Sequence, residues 1–274
     1  MTNRDLEKLK TIIKEKVDGK WVPKHDAFGH HYSNGSILQD SVTTKLGILN
    51  KPHLLKWAIR KGVEFLEFEN RWQRLASHDR EELLSGAQSA YTDIRDDAGS
   101  VGTQAHNGIE KYILEWISTQ KRPDDIKKFL IEKADPRAIA SARGIEALFK
   151  TKEIIPVASE ILVGHHKYSA GTLDFLCFWE GKLTLVDFKT SNHIDKISYS
   201  MQVAAYKYFF EHMTGIKIPQ LKIIHLSKDY DKYDIYKVNN IGQASIAFKA
   251  LCRVYDWMTD GKEKVAKDIK RLRI

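Results

Sequence analysis

The sequence predicts an α/β protein of mixed, α+β character, in which a central mixed β-sheet is flanked by helices and preceded by a helical N-terminal elaboration. Three observations carry that expectation. Apolar residues recur at helical spacing through the front half, then at strand spacing between 153 and 189. Strands and helices segregate along the chain more than they alternate. With 274 residues, 42% hydrophobic and 29% charged, the chain can bury a large core, and its composition excludes global disorder.

Taken in order, Leu6, Leu9, Ile12, Ile13 and Val17 mark a helix over 3–17. Residues 18–40 are rich in Gly, His, Asp and Ser and read as loop or hairpin. Ser41 to Thr44 can cap a helix, Pro52 restarts one, and Leu54, Leu55, Ala58, Ile59 and Val63 continue it. Another helix covers about 78–97, and Gly99-Ser100-Val101-Gly102-Thr103 punctuates the chain before the helical QAHNGIEKYILEWI. A helix near 136–149 precedes strands at 153–163, 170–179 and 182–189, separated by Gly164 and the Glu180-Gly181 turn. DKISYSMQVAAYKYFFEHMTG is a helix stopped by Gly215. LKIIHLS and YDIYKV form a hairpin, and helices follow. The expected division is a helical part over 1–98, guiding DNA and packed on the core, and a core with C-terminal helices over 99–274.

The net charge of +8 favours a polyanionic partner. Cys177 and Cys252 sit in apolar patterns and read as core residues of a reducing compartment; two cysteines cannot form a four-thiolate iron–sulfur cluster. The first twenty residues hold no apolar run long enough for a signal peptide, and no segment approaches a membrane span. A cytoplasmic protein without membrane contact is expected.

The stretch GTLDFLCFWEGKLTLVDFKTS, Gly171 to Ser191, places an acid in each of two apolar strands. Side chains at i and i+2 share a strand face, so Leu183, Leu185, Asp187 and Lys189 line one face, which turns from aliphatic to charged. Asp174 and Asp187 flank the Glu180-Gly181 turn almost symmetrically, which sets them side by side in a hairpin. Two neighbouring carboxylates repel, and a divalent cation relieves both repulsion and burial. Lys189 adds a positive group able to orient water and stabilise charge developing on a phosphate. The same residues also fit a plain i,i+2 ion pair beside a solvated turn acid. Elsewhere, His106 and Glu110 lie four apart on one helix face, as do Gln202 and Tyr206. Each pair suits either helix packing or a site, the first as metal ligand and neighbour, the second as a phosphate-facing amide and phenol.

GTQAHNGIE, Ser159-Glu160, GTLD, VDFKTS and QVAAY, in that order, resemble the PD-(D/E)xK nuclease superfamily, and within it the RecB-type branch of phage and mitochondrial single-strand exonucleases. The likeness covers roughly 100–210, with a weaker echo of phage-encoded members in SVTTKLGILNKPHLLKWA. It implies a restriction-endonuclease-like core and a Mg²⁺ or Mn²⁺ ion held by His106, Asp174, Asp187 and the backbone carbonyl of Phe188. Lys189 is then the catalytic lysine and Glu160 a further acid of the catalytic set. Gln202, Tyr206, Thr190 and Ser191 face the substrate, and Glu110 stands behind the ligands. The two cysteines exclude the relatives that carry an iron–sulfur clamp.

The implied function is a metal-dependent DNA exonuclease that works from an end, on DNA that is single-stranded or being made so, in phage-type recombination, repair or processing. If phage-encoded, it acts in the host cytoplasm, with a recombination or replication partner. An endonuclease on the same core and a non-catalytic DNA-binding protein remain the alternatives. Trp57, Phe65, Phe68 and Trp72, interleaved with Lys56, Arg60, Lys61, Arg71 and Arg74, read either as a strand clamp or as the core of an amphipathic helix. The basic tail KEKVAKDIKRLRI reads equally as phosphate-following or as a solvated helix face.

Overall fold

The computed structural model describes residues 3–26, 29–49, 52–69 and 77–260. Helix α1 (Asn3–Lys16) buries Leu9 and Ile13 and leads into three antiparallel strands, β1 (Val22–Asp26), β2 (Gly29–Asn34) and β3 (Ile37–Asp40). Of the loop-or-hairpin reading of 18–40 the hairpin holds, extended by a third strand, and the front part is accordingly not wholly helical. VPKHD and GHHYSN carry almost no aliphatic side chains, so no alternation marks them as strands. Buried Trp21 and Tyr32 anchor the small sheet, and Ser169 Oγ donates to the Asp40 carbonyl (2.6 Å) to dock it on the main one.

Ser41 caps the short helix α2 (Val42–Leu46), its Oγ accepting from the Thr44 N–H at 2.9 Å. Helices α3 (Pro52–Glu69) and α4 (Ser77–Thr119) run antiparallel: Trp57 meets Tyr91 edge-on at 6.3 Å, and Phe65 fills the space where Gly86 lacks a Cβ. Trp57 and Phe65 therefore serve as packing between these helices. The side chain of Phe68, together with Arg71, Trp72, Arg74 and the basic tail, lies outside the described residues.

The expected break at 99–103 is absent. α4 runs through it as one helix of 43 residues, and the 98/99 boundary falls inside that helix. Packing overrides the glycines' weak helix propensity. Val101 and Ala105 are buried with Ala138, and Gly102 lies where a Cβ would stand 2.9 Å from Thr190 Oγ1.

After a 3-10 turn (Ile126–Phe129) come α5 (Pro136–Thr151), β4 (Ile154–His165), β5 (Ser169–Trp179), β6 (Lys182–Lys189), α6 (Lys196–Thr214), β7 (Gln220–Leu226), β8 (Tyr233–Lys237) and α7 (Ile241–Asp260). The sheet order is β4-β5-β6-β7-β8, with β6 and β7 parallel and every other pair antiparallel. A parallel pair needs a crossover, and α6 supplies it. Gly215, at φ 76°, ends α6 in the left-handed conformation that favours glycine. The chain is thus mixed α/β, a five-stranded sheet between helical layers.

Val203, Phe209, Phe210 and Phe248 of α6 and α7 pack with Leu183 and Leu185 of β6 on one side. Ile109, Tyr112, Ile145 and Phe149 of α4 and α5 pack with Val186 and Phe188 on the other. The period-two alternation of β6 thus divides its aliphatic residues between two cores. Cys177 and Cys252 are free and buried. Among the described residues, no helix is long and apolar enough to cross a membrane.

Candidate active site

Strand register builds the centre of the site. Phe175 pairs with Val186, so the next positions outward are Asp174 and Asp187. On the other side Ser159 pairs with Phe175 and Ile161 with Leu173, which sets Glu160 opposite Asp174. Three acids thus stand abreast on three adjacent strands. Glu160 has φ 50°, a left-handed backbone in mid-strand that a non-glycine residue adopts at a cost of about 1–3 kcal/mol. Strain of this kind persists where the surroundings over-determine it, and here Ser159 Oγ donates to the Asp174 carbonyl at 2.9 Å.

Asp174 Oδ2 accepts the Phe188 N–H at 2.8 Å, so the backbone of β6 orients the acid on β5. Asp187 is 1% exposed. Lys189 Nζ lies 2.7 Å from its Oδ2 in a buried ion pair, and Oδ1 has no hydrogen-bond partner. His106, brought by α4, places Nδ1 4.0 Å from Asp174 Oδ2 and its ring edge-on to Phe188. Glu110, one turn further along α4, is near enough for its charge to act on Glu160. The structure therefore brings together His106, Glu110, Glu160, Asp174, Asp187 and Lys189.

Burial dominates the electrostatics. It raises the Glu160 carboxyl to about 8, with Asp174, Glu110 and Asp187 adding repulsion. It raises Asp187 to about 6 against the pull of Lys189, and it raises Asp174 as well. For Lys189 burial works downward, but Asp187 and Asp174 outweigh it and the ammonium is held above its usual range. Burial, then the charge of Lys189, lowers His106 to about 4 and leaves a neutral imidazole whose lone pairs can ligate. Three carboxyl groups beside one ammonium, with Asp187 Oδ1 lacking a hydrogen-bond partner, form a cluster that a hard dication would neutralise. The donor set of carboxylate oxygens and one imidazole fits Mg²⁺ or Mn²⁺.

Helix α6 closes the site. Gln202 and Tyr206 are both buried, with Gln202 Nε2 donating to Tyr206 Oη at 3.1 Å. The Tyr206 ring lies on Gly171, where a Cβ would stand 2.7 Å from Cε1, and this accounts for the glycine of GTLD. Gly171→Val will push Tyr206 out of place, destabilising the chain by about 1–3 kcal/mol in urea denaturation, as overpacking does.

Thr190 is buried against α4 at Gly102. Ser191 Oγ donates to the His193 carbonyl (2.8 Å) and lies 3.1 Å from Tyr199 Oη. Both border a cavity of about 550 Å³ that His225, Lys228 and Lys232 also line.

Two residues escaped the sequence reading. Lys189 Nζ sits 4.9 Å above the ring of Tyr199, which shares a helical stripe with Gln202 and Tyr206 at i, i+3 and i+7. That periodicity was a usable signal. Tyr32 of the small sheet reaches Thr172 Oγ1 at 3.3 Å, and the charge of Glu160 acts on it. No local pattern connects residue 32 to this site.

No protein-family model matches the chain, and no curated protein matches it.

Proposed function

We propose that this chain is a Mg²⁺- or Mn²⁺-dependent deoxyribonuclease of PD-(D/E)xK type and RecB-like character that digests DNA from an end. The observation that carries the reading is Asp187, a carboxylate buried between aliphatic strands, with Oδ1 lacking a hydrogen-bond partner, beside Asp174 and ion-paired through Oδ2 with Lys189. Such a group is costly in an uncatalytic sheet and useful at a cation site. The order of the five sequence motifs supports the family.

His106, Asp174 and Asp187 would hold the ion, and the Phe188 carbonyl is the remaining expected ligand. When bound, the cation supplies charge neutralisation at the phosphate and a water of lowered pKa. Lys189, fixed between Asp187 and the Tyr199 ring, orients the attacking water and neutralises charge developing on the phosphate. Glu160, protonated near neutral pH, can exchange a proton with water at the site. Gln202 and Tyr206 offer an N–H and an O–H toward phosphate oxygens. The net charge of +8 favours a nucleic-acid substrate.

The test uses end-labelled linear DNA, single- and double-stranded, beside covalently closed circles, with Mg²⁺ or Mn²⁺ and with EDTA. Metal-dependent loss of linear DNA, circles intact and Lys189→Ala inactive, is the expected result. Nicked circles would make the chain an endonuclease. Binding without cleavage under every metal would reject the enzyme.

A further inference from the structure

A second cluster lies at the far end of two elements that also build the site above. β4 ends at His165, His166 begins the turn to β5, and His212 lies in the last turn of α6. The ring of His165 is 4.6 Å from that of His166 and 4.5 Å from that of His212, centroid to centroid. One nitrogen from each of the three lies within 4.8 Å of the others. All three border a cavity of about 320 Å³ that Gly164 and Trp21 also line, and among the described residues its lining has no carboxylate.

We propose that His165, His166 and His212 form a second metal site, for a borderline transition-metal dication of the Zn²⁺ class, which ties the β4–β5 turn to the C-terminal end of α6. Buried His165 packs tilted against Tyr168 and Tyr208 and stacked on His166, and His212 stacks on Tyr208 with centroids 6.3 Å apart. Ring packing does not require the exposed His212 of α6 to bring a third imidazole nitrogen within 4.8 Å of those of the adjacent His165 and His166. Imidazole nitrogens without oxygen donors select Zn²⁺ and its neighbours over Mg²⁺ or Mn²⁺. Three protein ligands leave a fourth, open position for water, and the cavity provides room for it. A tetrahedral ion needs its nitrogens about 3.3 Å apart, given Zn–N bonds near 2.05 Å. The exposed side chains of His166 and His212 reach that spacing by turning. His165 Nδ1 now accepts a hydrogen bond from the Lys167 N–H at 3.1 Å, and the ion would compete for that lone pair.

Several cationic groups stand around the cluster. Lys16 and Lys20 line the cavity, Lys167 follows the turn, and Lys249 Nζ sits 3.4 Å over the Tyr208 ring. They weaken attraction for any dication and set the site apart from a tight, all-thiolate structural centre. Occupancy would fasten together the strand that carries Glu160 and the helix that carries Gln202 and Tyr206.

The experiment uses tag-free protein in the Asp187→Asn background, which silences the hard-cation centre. Co²⁺ is added and its visible d–d absorption recorded, followed by competition with Zn²⁺ and with excess Mg²⁺. The expected result is one tetrahedral Co²⁺ per chain, displaced by Zn²⁺ but not Mg²⁺. His166→Ala and His212→Ala should each weaken binding about tenfold or more, since even the loss of a ligand's supporting hydrogen bond costs that much. Zn²⁺ should raise Tm in the Asp187→Asn chain and leave the Tm of the added histidine variants unchanged. Both histidines are exposed, so their loss leaves the fold intact, as circular dichroism verifies. Absence of Co²⁺ binding, or binding unchanged in the His166→Ala/His212→Ala variant, overturns the proposal.

Discussion

On the proposed nuclease reading, the Asp187→Asn/Lys189→Met variant will lose metal-dependent cleavage by about 10³-fold or more, because it removes a proposed ligand and the charge proposed to stabilise the transition state. The same variant, in metal-free buffer, will be as stable as the wild-type chain or more stable by about 1–4 kcal/mol. The two results belong together. Asp187 contributes charge that burial penalises and that Asp174 repels, and its Oδ1 has no hydrogen-bond partner. Lys189 is the main offset of that charge and His106 a lesser one; with both Asp187 and Lys189 removed, Asp174 keeps the Phe188 N–H and, raised by burial, can take up a proton. Turnover on end-labelled DNA and urea denaturation in EDTA measure the pair of effects. A residue kept for stability would behave in the opposite way, so retained cleavage with a lowered denaturation midpoint would overturn the assignment.

Stabilisation by added Mn²⁺ will increase with pH, most clearly between about 6.5 and 8, as protons stop competing for the carboxylates. The sign follows from Glu160, whose pKa is raised to about 8 in the folded chain by burial and then by its acidic neighbours. Above the ordinary carboxylate range the unfolded chain releases this proton while the folded chain keeps it. Metal-free stability therefore falls as pH rises toward 8, and becomes level above it. Asp187, raised to about 6, adds the same trend at lower pH. His106 and His165, both lowered to about 4, run the other way: each disfavours the fold below the usual histidine value and ceases to matter above it. The window above 6.5 is thus the informative one. Thermal melts with and without Mn²⁺ at about pH 6.5, 7.2 and 8 test it. A metal-free Tm that climbs across this window would mean that Glu160 is not held protonated by its surroundings.

Much of the centre was legible because strands and helices have fixed periods. The turn at Glu180-Gly181 and the i,i+2 rule place Asp174, Asp187 and Lys189 together with no further information. The i,i+4 rule does the same for His106 with Glu110 and for Gln202 with Tyr206. What could not be read depends on contacts distant in sequence. Nothing near residue 160 announces a left-handed backbone in mid-strand, since Glu is no turn residue. Gly99 and Gly102 look like punctuation until Thr190 is seen against Gly102. The three strands of residues 22–40 lack aliphatic alternation and are held by Trp21, Tyr32 and the Ser169–Asp40 contact. The three histidines at 165, 166 and 212 meet only because α6 crosses back over β4.

The continuity of α4 has a mechanical consequence. Tyr91, against which Trp57 rests, and His106, which faces Asp174, are separated by fifteen residues of one rod, about 22 Å at 1.5 Å per residue. No hinge loop interrupts them. One stiff element thus joins the α3 flank to the imidazole beside the sheet-borne acids, so the position of His106 is tied to the packing of Trp57 on Tyr91.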